Sequence, residues 1–209
     1  MTRKGNSHLR RRVAREAALL LYTLQEKEFK QAKEKAARTL GLKILPSNFE
    51  VAEELDRIAD ECEGEERWSR LIRMRREALK IMELLSAFHP KLIGSVWRGT
   101  VNRNSDIDID VFSQDWRLVV EVINKSGLKI LSIETAPLEK DGSGRTIHIF
   151  VDLPSGDKAE IIVRKIEDLN KVELCDIYGD VKKGLTTNQL KAVLEKDPLQ
   201  RFVPKRRMR

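Results

Sequence analysis

The sequence predicts an α+β fold, in which an N-terminal helical region precedes a small α/β domain that contains a mixed sheet. Over the first 90 residues, apolar side chains recur at intervals of three and four, which is typical of helices. Later residues alternate between polar and apolar or form short apolar runs, which indicates strands. We therefore expect a helical region over 1–65, an α/β domain over 66–170 and a C-terminal extension with a basic tail over 171–209.

Three helices account for the first part of the chain. The first is expected to continue without a break to Gly41, because glycine commonly ends helices. Ser47 and Glu50 have the spacing of a capping box, which places the start of the second helix there, and Gly64 separates it from the third. The apolar stripe of the first helix consists of Val13, Ala17, Leu20, Leu21, Leu24, Ala32, Ala36 and Leu40.

The second part of the chain is expected to be mainly β-structure with one internal helix. The turn-forming residues 154–157 separate the last two apolar runs, so these runs should form a hairpin. The expected strands are 106–112, 128–135, 146–153 and 158–164, and the expected helices are 115–126 and a short one that starts near Thr187.

Charge is distributed unevenly along the 209 residues, whose net charge is +7. Residues 1–40 contain eleven Lys and Arg against four Glu, and residues 201–209 contain five Lys and Arg and no acid. An acidic body with basic ends is common in proteins that contact polyanions, so the termini are candidates for binding RNA. Alternatively, the basic residues of the N-terminal region form a solvated helix face and those of the C-terminal region form a frayed tail, without any contact with RNA.

The remaining composition points to a soluble cytoplasmic protein. Cys62 and Cys175 are far apart, which predicts neither a disulfide framework nor a zinc site. No apolar run approaches the roughly 20 residues that span a bilayer, and the basic N-terminus lacks the apolar segment of a signal peptide. We therefore expect no membrane contact.

Three aspartates on one predicted strand are the most informative residues of the chain. Asp106, Asp108 and Asp110 alternate with Ile107 and Ile109, so the three carboxylates should share one face of the strand. Asp is unfavourable in strands, which argues against a plain solvent-facing surface. Crowded carboxylates repel one another unless a cation neutralises them, and Mg²⁺ prefers oxygen ligands. The pattern therefore predicts a magnesium site.

A glycine-containing motif precedes these aspartates. Gly94 and Ser95 are followed by Arg98 and Gly99, and Asp106 follows Ser95 by eleven residues. A glycine beside a small hydroxyl residue lets backbone amides approach a phosphate closely. The combination predicts a phosphate site next to the carboxylates.

Gly94-Ser95 followed by Asp106-Ile-Asp108 resembles the motif of the nucleotidyltransferase superfamily, which includes DNA polymerase beta, CCA-adding enzymes and minimal nucleotidyltransferases. The resemblance covers roughly residues 80–165. It implies that Gly94 and Ser95 hold the triphosphate of an NTP (ATP favoured). It also implies that Asp106 and Asp108 bind two Mg²⁺ ions, which Mn²⁺ could replace. Arg98 lies where several minimal members carry arginine; it is either a triphosphate ligand or part of a structural ion pair.

The family also has a third carboxylate on a later strand. Residues 148–166 resemble the hairpin of archaeal CCA-adding enzymes, which assigns Glu160 to this role, with Asp152 as the alternative. Glutamate in place of the family's aspartate is a departure from the pattern. The role of Asp110 is also undecided. If the loop between Ser95 and the aspartates were two residues longer, Asp108 and Asp110 would be the metal-binding pair.

The expected activity is transfer of a nucleoside monophosphate from an NTP to an acceptor hydroxyl, with RNA as the leading acceptor. Transfer of AMP to a protein, as in minimal nucleotidyltransferases, and a non-catalytic nucleotide- or RNA-binding module are the alternatives. The helical region over residues 1–65 resembles no known family. Its apolar stripe is compatible with a dimer interface, a substrate clamp or a packing partner for the sheet.

Overall fold

The structure of the protein, a computed structural model, describes residues 3–137 and 145–205, and it confirms the α+β class. Within these residues the chain forms six α-helices and one sheet of six strands. The helices are α1 (Arg3–Tyr22), α2 (Phe29–Thr39), α3 (Asn48–Leu84), α4 (Gly94–Arg98), α5 (Trp116–Lys125) and α6 (Thr187–Lys196). The strands are β1 (Lys91–Leu92), β2 (Ile107–Phe112), β3 (Lys129–Pro137), β4 (Arg145–Asp152), β5 (Lys158–Arg164) and β6 (Leu185–Thr186).

The prediction of one unbroken first helix is wrong. Leu24 adopts the left-handed conformation, with φ of 57°, and ends α1, so that α2 can fold back against it. The periodic stripe crosses this break because residues on both sides face the same small core. Leu24 itself is 59% exposed, whereas Val13, Ala17 and Ala36 are fully buried.

The capping box is confirmed, and the interruption predicted at Gly64 is present as a kink within α3 and not as a boundary between two helices. Ser47 Oγ accepts from the Glu50 amide, and the Glu50 carboxylate accepts from the Ser47 amide at 2.8 Å. Gly64 has non-helical angles (φ 53°, ψ −132°), which kink α3 without ending it.

A buried arginine connects the two sides of this kink. Arg67 is completely buried; it donates to the Val101 carbonyl at 2.5 Å and forms ion pairs with Asp56 and Asp60 from the preceding half of α3. Removing either carboxylate would leave a buried charge poorly compensated.

The sheet is mixed, with the strand order β3-β4-β5-β2-β1-β6. β2 and β5 are parallel, whereas the other neighbouring strands are antiparallel. The predicted hairpin of β4 and β5 is present, and β3 forms the edge beside β4. The short strands β1 and β6 were not predicted, because two residues are too few to show a period.

One face of the sheet is apolar and packs against helices, and the other is polar. Ile107, Ile109 and Ile161 lie on the apolar face and are fully buried in a core with residues of α3, α5 and α6. A second core combines α1, α2 and the first part of α3. Helix α3 contributes to both cores.

Residues 171–184, which connect β5 and β6, contact the polar face through ion pairs. Glu173 pairs with Arg164 of β5, and Lys182 Nζ lies 3.8 Å from Asp110 Oδ2 of β2. This late segment therefore completes the surroundings of the aspartates.

Much of the positive charge of α1 is paired with acids of α3. Three arginines of α1 take part, in the pairs Arg10–Glu50, Arg11–Glu54 and Arg15–Glu61. The basic residues Arg206, Arg207 and Arg209 of the predicted tail lie outside the described residues. None of the described helices combines the length and the apolar character needed to cross a bilayer.

Candidate active site

The structure places Asp108 and Glu160 directly opposite each other. They are register partners in the parallel pair β2–β5, and their carboxyls lie close enough to interact. Burial, with added repulsion from Glu160 and then Asp106, raises the pKa of Asp108 to about 8. The site therefore disfavours the charged form of Asp108.

Asp106 lies just before the first residue of β2 and is exposed. Partial desolvation raises its pKa, Lys158 opposes this shift and the charge of Glu160 adds to it. The carboxylates of Asp106, Asp108 and Glu160 therefore interact electrostatically, as expected for three groups on one face.

Gly94 brings the motif of α4 into contact with this cluster. Its φ is 67°, and a Cβ at this position would overlap Asp108 Oδ2 and lie 2.7 Å from Asp108 Cγ. The Ile93 amide donates to the Asp108 carbonyl at 2.9 Å, which fixes the start of α4 against β2. Glycine is therefore required by both the backbone conformation and the close approach of the carboxyl.

His148 and Thr146 extend the cluster along β4, and sequence reasoning did not assign them to the site. His148 Nδ1 lies 2.5 Å from Glu160 Oε1, and His148 Nε2 lies 2.8 Å from Thr146 Oγ1. This arrangement holds Glu160 from the side opposite Asp108. Alternation along β4 places both residues on one face, but only the register with β5 shows that this face carries Glu160.

Asp110 is buried within a set of ion pairs. Arg164 Nη1 lies 3.3 Å from Asp110 Oδ2, Lys182 approaches the same oxygen, and Glu173 binds Arg164 from its other side. Burial raises the pKa of Asp110, while the two cations lower it. Asp110 therefore neighbours the Asp108–Glu160 pair and is paired with cations through Oδ2, while its buried Oδ1 has no hydrogen-bond partner among the described residues.

Arg98 forms a structural ion pair, one of the two roles considered for it. Its guanidinium donates to both carboxylate oxygens of Asp180, at 2.7 and 2.8 Å, and to the Phe202 carbonyl at 2.8 Å. It also stacks on Trp97 and Tyr178. The side chain is almost completely buried, so this geometry favours positioning of α4 over direct contact with a phosphate.

Asp152 lies at the end of β4, opposite Lys129 on one side and Lys158 on the other. The structure thus brings Glu160, and not Asp152, next to Asp108. Ser95 lies beside Gly94 at the start of α4 and is partly exposed.

Residues 3–137 and 145–205 contain no group of three or more His, Cys, Asp or Glu side chains arranged as a metal site. The donors still fit a hard divalent cation, since they are carboxylate oxygens on one face, and the charges of Glu160 and Asp106 add to burial in raising the pKa of Asp108.

Comparison with known proteins adds no further assignment. The chain matches no protein-family model, and no curated protein shows significant similarity to it.

Proposed function

We propose that this protein is a metal-dependent nucleotidyltransferase that moves a nucleoside monophosphate from an NTP to an acceptor hydroxyl. The observation that carries the proposal is the contact of Asp108 with Glu160 beside the backbone of Gly94. Two carboxyls placed opposite each other on adjacent strands, one of them largely desolvated, are costly for stability. A role in binding cations at a phosphate site would explain why the protein tolerates this destabilising arrangement.

Asp106, Asp108 and Glu160 would hold Mg²⁺, with Mn²⁺ as a substitute. Bound there, two such ions would neutralise the phosphates and activate the acceptor hydroxyl. Bound cations would offset the repulsion between these carboxyls, which adds to burial in raising the pKa of Asp108.

Other residues of the chain position the reactants. Gly94 and Ser95 bind the triphosphate, as the resemblance to the superfamily implies, while His148 fixes the orientation of Glu160. Lys182 supplies a positive charge close to Asp110 and lowers the pKa of Asp108. It can stabilise the additional negative charge of the transition state from a position that is already fixed.

The proposed acceptor is an RNA end. The pairing of Arg10, Arg11 and Arg15 with glutamates reduces the charge that α1 offers to a polyanion. RNA contact would therefore depend on the other Lys and Arg side chains of the N-terminal region and on the basic C-terminal tail. Neutralised phosphates release counterions, so RNA affinity should fall steeply as salt is added.

The test is incubation of the full chain with α-phosphate-labelled NTPs and Mg²⁺, together with cellular RNA in one reaction and cellular protein in another. Label in RNA that is lost in the Asp108→Ala variant supports the proposal. Label in protein that depends on Asp108 supports nucleotidyl transfer but replaces RNA with a protein acceptor.

A matched control is Asp152→Ala, because Asp152 lies on β4, two strands away from Asp108, and its register partners are Lys129 and Lys158. If no pool is labelled by the wild-type chain, or if Asp108→Ala labels as well as wild type, the enzymatic proposal is overturned.

A further inference from the structure

A mostly apolar cavity of about 240 Å³ lies between the helical region and the proposed active site. Phe29 of α2 and Leu55 of α3 form one wall. Ile177 and Tyr178 from the segment 171–184 form another, and Ser95 of α4 lies at the side that faces the carboxylates. Three parts of the chain that are distant in sequence thus meet around one space.

The character of the lining changes across this cavity. The walls are mostly apolar and aromatic, whereas Ser95 and Lys182 add polar and positive groups at one side. Asp56 and Arg98 also line the cavity, but their charges are paired with Arg67 and Asp180. The Lys182 ammonium is 3.8 Å from Asp110 Oδ2, so it lies between the cavity and the polar face of the sheet. A ligand that suits this gradient has an apolar, planar part and an anionic part.

We propose that this cavity binds the nucleobase of the NTP, with the triphosphate extending past Ser95 and Lys182 toward Asp108. The proposal rests on the nucleotidyltransferase function and assigns a substrate-binding role to the N-terminal helices. At 240 Å³ the space is smaller than the roughly 300–1,000 Å³ of pockets that enclose a whole drug-sized ligand, so it suits a base better than a complete nucleotide. Apolar and aromatic walls favour bases through stacking and desolvation.

A second cavity, of about 460 Å³, lies on the other side of Lys182 and is the competing location. Its lining includes Asp110, Arg164 and Glu173, which are charged groups that already pair with one another. Placing a base there would desolvate these charges, and the lining offers no aromatic side chain on which a base could stack, except for the imidazole of His148. The second cavity is therefore the less favourable site for a base.

Photolabelling with 8-azido-ATP distinguishes the two cavities. The full-length chain is irradiated with this probe and Mg²⁺, and the labelled peptides are identified by mass spectrometry. We expect saturable labelling within residues 26–57 or 175–178, which line the first cavity and not the second. Labelling confined to residues 145–165 would place the base in the second cavity and overturn the inference.

Competition with inorganic triphosphate separates this inference from the proposed function. Labelling of residues 145–165 that triphosphate prevents would reject the base site but keep a nucleotide site at the carboxylates. Absence of any saturable labelling would overturn both.

A variant that fills the cavity gives an independent measurement. Ile177→Trp should weaken ATP binding about tenfold, the loss expected when one base loses its stacking site, and should leave binding of inorganic triphosphate unchanged. The matched control is Val172→Trp, which adds the same side chain to the same segment at a position that is 73% exposed. Equal ATP affinity in wild type and Ile177→Trp would overturn the inference.

Discussion

Asp108 and Glu160 face each other across two parallel strands, and each is held by a further contact: Asp108 by the backbone of Gly94, Glu160 by His148 Nδ1. The pair is therefore fixed in position before any ligand arrives. Preorganised groups of this kind contribute most when charge develops at the site they surround.

Glu160→Gln should reduce nucleotidyl transfer by at least about 100-fold, because it removes a charge directed at the reaction centre while retaining the shape of the side chain. Asp152→Asn is the matched change on β4, two strands away from Asp108, and should leave activity near that of wild type. Rates of label incorporation at saturating NTP measure both. The reverse ranking would make Asp152 the third carboxylate.

Gly94→Ala should abolish activity and destabilise the fold, because the new methyl group overlaps the Asp108 carboxyl. Gly127→Ala is its control: Gly127 also has a positive φ, of 80°, but a Cβ there meets nothing within 4 Å. The control should cost about 1 kcal/mol of stability from backbone strain alone and retain activity. Equal effects of the two changes on activity would show that contact with Asp108 is unimportant.

The stability of the metal-free protein should contain a pH-dependent contribution from Asp108. Its pKa is raised from 3.8 to about 8 in the folded state, so the folded state binds more protons than the unfolded state within this window. The free energy of unfolding contributed by Asp108 therefore decreases as pH rises through the window. Urea denaturation in EDTA, near both ends of the window, should show this decrease in wild type relative to Asp108→Asn. Parallel pH profiles of the two proteins would contradict it.

His148→Ala should lower activity by roughly 10- to 100-fold, the usual effect of losing a group that orients a metal-binding side chain. It should also raise the Mg²⁺ concentration needed for half-maximal rate, which a general loss of stability would not do. His8→Ala, a change at an exposed position of α1, is the control. An unchanged Mg²⁺ requirement would mean that His148 does not position Glu160.

Arg98→Ala should lower the free energy of unfolding by about 3 kcal/mol, because it leaves its partners without a buried cation. Arg117→Ala removes an exposed arginine that pairs with Asp115 and should cost less than about 1 kcal/mol. Chemical denaturation measures both variants. Wild-type stability of Arg98→Ala, combined with weaker ATP binding, would instead favour the role of Arg98 as a triphosphate ligand.

Local patterns predicted the elements of this fold better than the contacts between them. The alternation of Asp106–Asp110 with isoleucines identified β2 and its polar face, because strand periodicity is a local property. The apolar stripe could not reveal the break at Leu24, since both helices pack on one core and keep the same spacing. Glu160 was assigned by resemblance, and its position opposite Asp108 depends on a parallel register that no local pattern specifies.

The charged partners of the site could not be predicted for a related reason. Lys182 reaches Asp110 only because residues 171–184 return across the polar face, and Arg164 contacts Asp110 through sheet pairing. The sequence alone does not distinguish these two cations from the other lysines and arginines of a highly charged chain. The same holds for Arg98, whose partner Asp180 lies 82 residues away.

The kinked helix α3 limits how this protein can be divided into fragments. A truncated chain that began just after Gly64 would start within a helix and would lack Asp56 and Asp60, the counter-ions of the fully buried Arg67. It would also lack Phe29 and Leu55, one wall of the apolar cavity. A fragment that keeps all of these contacts therefore has to begin before α2.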